Sequence, residues 1–265
     1  MNVPRHLAVA AISLSAALFM AQASPVSTAA SPSCACDNGP ITHASAHYPD
    51  WTGVWVRVGG LSDPRVKRDY TEVPPSPTDE TDWPPLTQAY REKYRVITKA
   101  LDKGERLNDP TANCLPAGFP WMMNMPYPME IHQTAAQLTI IAEWMSQTRR
   151  IYIGAHHPRD VDPTFFGDSI AHWQGNTLVV DTIGLRSDTT MNDSGLMHGK
   201  NTHVIERWSQ SKDGILNDEL TVLDDDMLTQ PWVRTFHYRR EPTMRVMEYV
   251  CENNRDYAPR APITP

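Results

Sequence analysis

Beyond residue 21 the chain has no long apolar run, no excess of positive charge and no glycine-rich phosphate loop, and each absence removes a class of function. The longest apolar stretch, Leu7 to Ala21, is about 15 residues, short of the roughly 20 that span a bilayer, so no membrane-spanning helix is expected. Lys and Arg number 24 against 31 Asp and Glu, giving a net charge of −7. A chain of that sign is a poor partner for nucleic acid or an anionic membrane. Neither a dinucleotide fingerprint nor a phosphate loop occurs, which makes cofactor-free chemistry the default. The Gly-x-Ser-x-Gly elbow of serine hydrolases is also missing: Ser169 sits in Gly167-Asp168-Ser169-Ile170-Ala171, without the second glycine, and reads as a strand entry. No metal is expected either. Cys34-Ala35-Cys36 lacks a second Cys/His pair at zinc-site spacing, and the adjacent His156 and His157 would point apart on a strand.

The N-terminus carries a short basic region, Met1 to His6, then the apolar stretch and the small-x-small triplet Ala21-Gln22-Ala23. These are the marks of a signal peptide, residues 1–23, and they predict a periplasmic or secreted protein. Cleavage removes Arg5 and no acid, taking the charge from −7 to −8. Residues 24–50, rich in Ser, Ala and Pro, read as a flexible tether, and 51–265 as one domain. Four cysteines in an oxidising compartment allow three pairings. Cys114 with Cys251 is the favoured pair, each lying at the edge of an apolar segment; Cys34 and Cys36 pair with each other or with a partner.

The domain reads as mostly β. Trp51–Val58 alternates bulky and small residues and opens it as a strand. Over Thr87 to Lys103, Tyr90, Tyr94, Ile97 and Leu101 share one helical face, with Thr87 as N-cap and Gly104 as the stop. Strand-like runs then follow at Met129–Gln133, Gln137–Trp144, Arg149–Ile153, Ser169–Trp173, Thr177–Ile183, Thr202–Trp208, Ile215–Leu223, Trp232–Tyr238 and Arg245–Cys251. Gln174-Gly175-Asn176 and Lys212-Asp213-Gly214 supply tight turns. An antiparallel meander of this length removes its edges by closing into a barrel or folding into a sandwich, and the barrel is preferred.

The stretch Gly167 to Thr182, Gly-Asp-Ser-Ile-Ala-His-Trp-Gln-Gly-Asn-Thr-Leu-Val-Val-Asp-Thr, resembles the signature of a family of exported bacterial β-rich proteins. Asp109 to Gly118, His203 to Arg207 and Glu248 to Asn254 add supporting matches, so that the likeness spans roughly residues 50–255. The resemblance implies export and a β-rich domain, and it brings little biochemistry with it. Gly53-Val54-Trp55 is in addition similar to the first strand of lipocalin-like barrels, which implies a barrel with room for a ligand.

Period-two alternation shows which polar residues share a strand face. Asp181 lies on one face with Thr177 and Val179, His203 with Ile205 and Arg207, and Glu206 on the opposite face with Val204 and Trp208. A polar residue on an apolar face needs a partner. Asp181, Glu206 and Glu248 are therefore expected to meet Arg150, Arg207, Arg234 or one another. Two readings follow. In the first, the barrel binds a small hydrophobic or aromatic compound in its interior and performs acid/base chemistry of the lyase, isomerase or hydratase kind. His203 is then the acid or base, Asp181 orients it, Tyr152 donates to a developing oxyanion, Arg150 supplies charge, and Glu206 completes the set. Trp121, Met123, Trp144, Phe166, Trp173 and His198 are the candidate cavity wall, with the 17-residue polar loop Leu185–Asn201 as its lid or mouth. In the second, the same barrel is a non-catalytic periplasmic carrier whose ionisable residues only brace strands.

Overall fold

The computed structural model describes residues 48–59, 78–107 and 109–251; the segment 1–23 expected as a signal peptide, nearly all of the expected tether, Cys34 and Cys36 lie outside the described residues. Nine strands close into a barrel in strict sequence order: β1 (Gly53–Arg57), β2 (Met129–Gln133), β3 (Gln137–Ala142), β4 (Gln147–Ile153), β5 (Asp168–Gln174), β6 (Thr177–Ile183), β7 (His203–Gln210), β8 (Leu216–Leu223) and β9 (Trp232–Arg240), with β9 pairing back onto β1. The expected meander is interrupted once, because β4 and β5 run parallel. A parallel pair needs a crossover between opposite ends of the barrel, and residues 154–167 provide it. The segment Arg245–Cys251, expected as a strand, is irregular: Met247 and Val250 are exposed, and no neighbouring strand remains for it once β9 has closed on β1.

The helix α1 (Gln88–Asp102) forms where the apolar spacing places it and buries Tyr94 and Ile97. Thr87 occupies its N-cap without capping, since the hydroxyl donates instead to the Asp226 carbonyl and ties the helix to the loop after β8. The predicted Cys114–Cys251 disulfide is present, with Cα atoms 5.6 Å apart, and fastens the chain after β9 to the segment between α1 and β2.

Alternation fills the barrel lumen instead of hollowing it. Trp55, Ile131, Ile140, Ile151, Leu178, Val180, Trp208 and Tyr238 point inward and are fully or almost fully buried. Nine strands enclose a wider lumen than side chains of ordinary size fill, and bulky Trp and Tyr residues take up the difference. One end is closed by Trp51, which packs on Trp208 and Trp173, the latter stacked on Tyr48. The other end is plugged by residues 117–124, where Phe119 lies against the inward-facing Arg149 and the Met123 carbonyl accepts the Tyr238 hydroxyl at 2.6 Å. Gly118 enters this plug at φ +81°, where a Cβ would stand 2.7 Å from the Phe165 carbonyl oxygen, so a larger residue would push the plug off the crossover.

Candidate functional site

Three polar regions result from this architecture: a dry ionic cluster in the lumen, a His–Asp chain on the outer wall, and a cavity at the plugged mouth.

In the lumen, Arg149 holds Glu206 with both terminal nitrogens, one contact at 2.8 Å, and donates further to Thr182 and Ser169. The Trp208 indole N–H donates to the same Glu206 carboxylate at 3.1 Å. Both charges are completely buried. Asp218 lies beside this pair with neither oxygen hydrogen-bonded among the described residues. Burial, reinforced by the Glu206 charge, holds its carboxyl well above the usual carboxylate range, and burial likewise raises Tyr238. The cluster thus amounts to one ion pair beside a carboxyl group whose charged form is disfavoured by burial.

On the outer wall, the registers Ile170 with Asp181 and Asp181 with Ile205 put Asp168, Asp181 and His203 on one face of β5, β6 and β7. The crossover after β4 lays His157 across them. The His203 Nε2 meets Asp181 at 2.7 Å, the same carboxylate oxygen lies 3.3 Å from His157 Nε2, and His157 Nδ1 is 2.6 Å from Asp168. Gly167, at φ +66°, lets the chain turn into Asp168 with the backbone against Ile183, where a Cβ would be 2.4 Å from the carbonyl oxygen. The four groups form a continuous chain that is one-fifth to two-fifths exposed. Each end opens on a shallow depression of roughly 230–240 Å³: Arg150, Tyr152 and Phe166 flank Asp168, while Asn201 and Asp224 to Asp226 flank His203.

At the mouth, a cavity of about 220 Å³ is bounded by segments distant in sequence. Residues 79–84 and α1 bring Trp83 and Tyr94, the plug brings Pro120 and Asn124, the loop after β6 brings Met191 to Ser194, and β8 and β9 bring Leu220, Trp232, Arg234 and Phe236. Trp83 and Tyr94 meet at 4.7 Å between centroids, tilted by 57°, and make one corner.

The sequence-based candidates are divided among these regions. His203 and Asp181 are hydrogen-bonded to each other, but on the outer wall instead of in the interior, with His157 and not an arginine as the second partner of Asp181; Arg150 and Tyr152 lie on the same wall near the far end of the chain. Glu206 is separated from them by the barrel wall, and its partner is Arg149 instead of Arg150, Arg207 or Arg234. Glu248 is exposed in the irregular tail. None of Trp121, Met123, Trp144, Phe166, Trp173 or His198 lines the mouth cavity. Trp121 and Met123 are core, Trp144 packs on Trp121, Phe166 borders an outer depression, and Trp173 belongs to the closure at the opposite end. His198 is fully buried in the loop after β6, where burial, only partly opposed by the Phe119 backbone, lowers its pKa to about 4. The loop does face the cavity, but through Asn192 and Asp193.

Among the described residues no group of three or more His, Cys, Asp and Glu side chains is arranged around a common point to hold a metal ion. In the outer chain the reason is visible: both nitrogens of His157 are directed at carboxylates. No helix of the described residues is long and apolar enough to cross a membrane. No protein-family model and no curated protein matches the chain.

Proposed function

We propose that the protein is an exported barrel that binds a small hydrophobic or aromatic molecule at its plugged mouth. The observation that carries the proposal is the division of space: the lumen is occupied by its own aromatic and ionic side chains, whereas the mouth presents a cavity walled by Trp83, Tyr94, Trp232 and Phe236. Aromatic walls with a few polar groups at the rim are what a small-ligand site requires. About 220 Å³ is below the range of drug-sized pockets and suits a compound of one ring with a short substituent. Export is supported by the signal-peptide pattern and fits the disulfide. Incubating the purified protein with a panel of small aromatic compounds, read by native mass spectrometry, tests the proposal. Retention of a compound one-to-one, lost in Trp232→Ala, is the expected result; no retention, or retention unaffected by that change, refutes it.

One observation favours a second reading, cofactor-free acid/base chemistry: the 2.7 Å contact between His203 and Asp181, in which the carboxylate orients an imidazole whose other nitrogen is directed away from it. The same panel read for turnover tests this. If His203 transfers protons, His203→Gln lowers turnover by roughly 10²–10⁴ while binding and melting temperature hold. Full turnover in a folded His203→Gln protein removes it from the mechanism.

A further inference from the structure

We infer that the ligand of the mouth cavity is an organic cation, an ammonium or quaternary amine carried on an apolar or aromatic body. The inference rests on the mouth being the binding site and adds the sign of the ligand's charge. Asp79, Asp82 and Asp193 stand on the rim against a single cation, Arg234. Among the described residues none of the three carboxylates forms an ion pair: Arg91 and Arg95 are held by Glu80, and Arg106 is held by Asp109 and reaches only the Asp193 backbone carbonyl, at 3.4 Å. Asp79 is held in its charged form by two hydrogen bonds from Thr81, which lower its pKa. Arg234 itself is drawn over the Trp232 ring, 5.7 Å from its centroid, so the cavity already holds one cation on an aromatic face.

The walls carry the same preference as the rim. The faces of aromatic rings are regions of negative potential that attract cations and repel anions, most strongly where water is excluded. A concave site with low-dielectric walls and one sign of charge at its edge focuses its field into the opening. Four rings and three carboxylates therefore act together on a positive ligand, whereas an anion would find Arg234 and, around the rim, only cations already engaged, Arg91 and Arg95 by Glu80 and Arg106 by Asp109. A neutral ring compound would keep the apolar contacts and gain nothing from the rim. The apolar body would sit against Phe236 and Leu220 at the floor, with the charged group toward Asp82 and Asp193.

Titration calorimetry at pH 7 with three compounds of one shape, 2-phenylethylammonium, 2-phenylethanol and phenylacetate, tests this on the intact chain. The expected order is ammonium first, about tenfold or more tighter than the alcohol, with phenylacetate weakest. The double change Asp82→Asn and Asp193→Asn should lower ammonium affinity by roughly 5- to 20-fold and leave the alcohol within about twofold. Both carboxylates are exposed, so the melting temperature should be unchanged and loss of binding is not loss of fold. Alcohol or phenylacetate binding as tightly as the ammonium, or ammonium affinity indifferent to the double change, overturns the cation inference while leaving the mouth as the site. No binding by any of the three overturns the reading of the mouth itself.

Discussion

The lumen and the outer wall of this barrel are built from the same kinds of ionisable residue, on the same strands, and they behave as opposites. Glu206 and Asp181 lie on neighbouring strands, one pointing in and one out. Inside, Glu206 is dry, gripped by Arg149 and supplied with an indole N–H, and burial works against the charged form of the adjacent Asp218. Outside, Asp181 is 39 % exposed and shared between two imidazoles. Histidines divide in the same way: His198 is sealed in the loop after β6, while His203 is about one-third exposed. Chemistry needs groups that exchange protons with something arriving from solution, and only the outer set is placed to do so. The inner set instead sets the fold's tolerance to mutation and to pH.

The strongest way to break this contrast is to remove Arg149. Arg149→Ala leaves Glu206 charged, buried and unpaired, and should destabilise the protein by about 3–5 kcal/mol, a cost that thermal or denaturant melting would show. A loss under 1 kcal/mol would mean that water reaches the lumen.

Next in size is the acid sensitivity due to His198. Its pKa is lowered in the folded state, to about 4 from an ordinary 6.5, so the unfolded chain takes up a proton that the folded one refuses. Stability from this group is complete above pH 6.5 and is lost as pH falls toward 4, by at most about 3 kcal/mol. His198→Leu should flatten that part of the profile, which melting curves from pH 7 to pH 4 would reveal.

Asp218 has the opposite slope. Its carboxyl is raised, so its contribution is favourable at low pH and is lost as pH rises through the folded-state value. Asp218→Asn should therefore raise the melting temperature at pH 7, with the gain shrinking as pH approaches 4. A destabilised Asp218→Asn protein at pH 7 would show that the carboxylate is charged and satisfied in the lumen.

The smallest effect belongs to the outer wall. Asp181→Asn should change stability by no more than about 1 kcal/mol, as for other partly exposed ion pairs, even though it breaks contacts to both His157 and His203. A larger loss would make the outer chain a structural brace.

How far the sequence anticipated this can be read strand by strand. The ends of Thr177–Ile183 are those of β6, and period two put Glu206 on the face opposite His203, but with Leu178, Val179 and Val180 all buried the pattern could not say which face was the lumen. What alternation cannot show is which strands run parallel. The crossover of residues 154–167 brings His157 to Asp168 and Asp181, and its only local sign is a long, proline-punctuated link between two strands. Val246 and Val250 flank Glu248 as they would in a strand, but a barrel already closed by β9 on β1 offers that segment no edge. The aromatic run around Trp121 is as apolar as a cavity wall should be, yet it is spent on the plug. The actual mouth is assembled from residues near 80, 94, 120, 192 and 234, whose convergence is a property of closure and not of any one segment.

The division between a filled lumen and a receptive mouth is tested most directly by the tryptophan indole N–H resonances in a titration with 2-phenylethylammonium. The Trp83 and Trp232 signals should shift with added ligand, while those of Trp55, bonded to the Trp51 carbonyl, and Trp208, bonded to Glu206, stay in place. Movement of the Trp55 and Trp208 signals with Trp83 and Trp232 unaffected would put the ligand in the lumen and contradict this account.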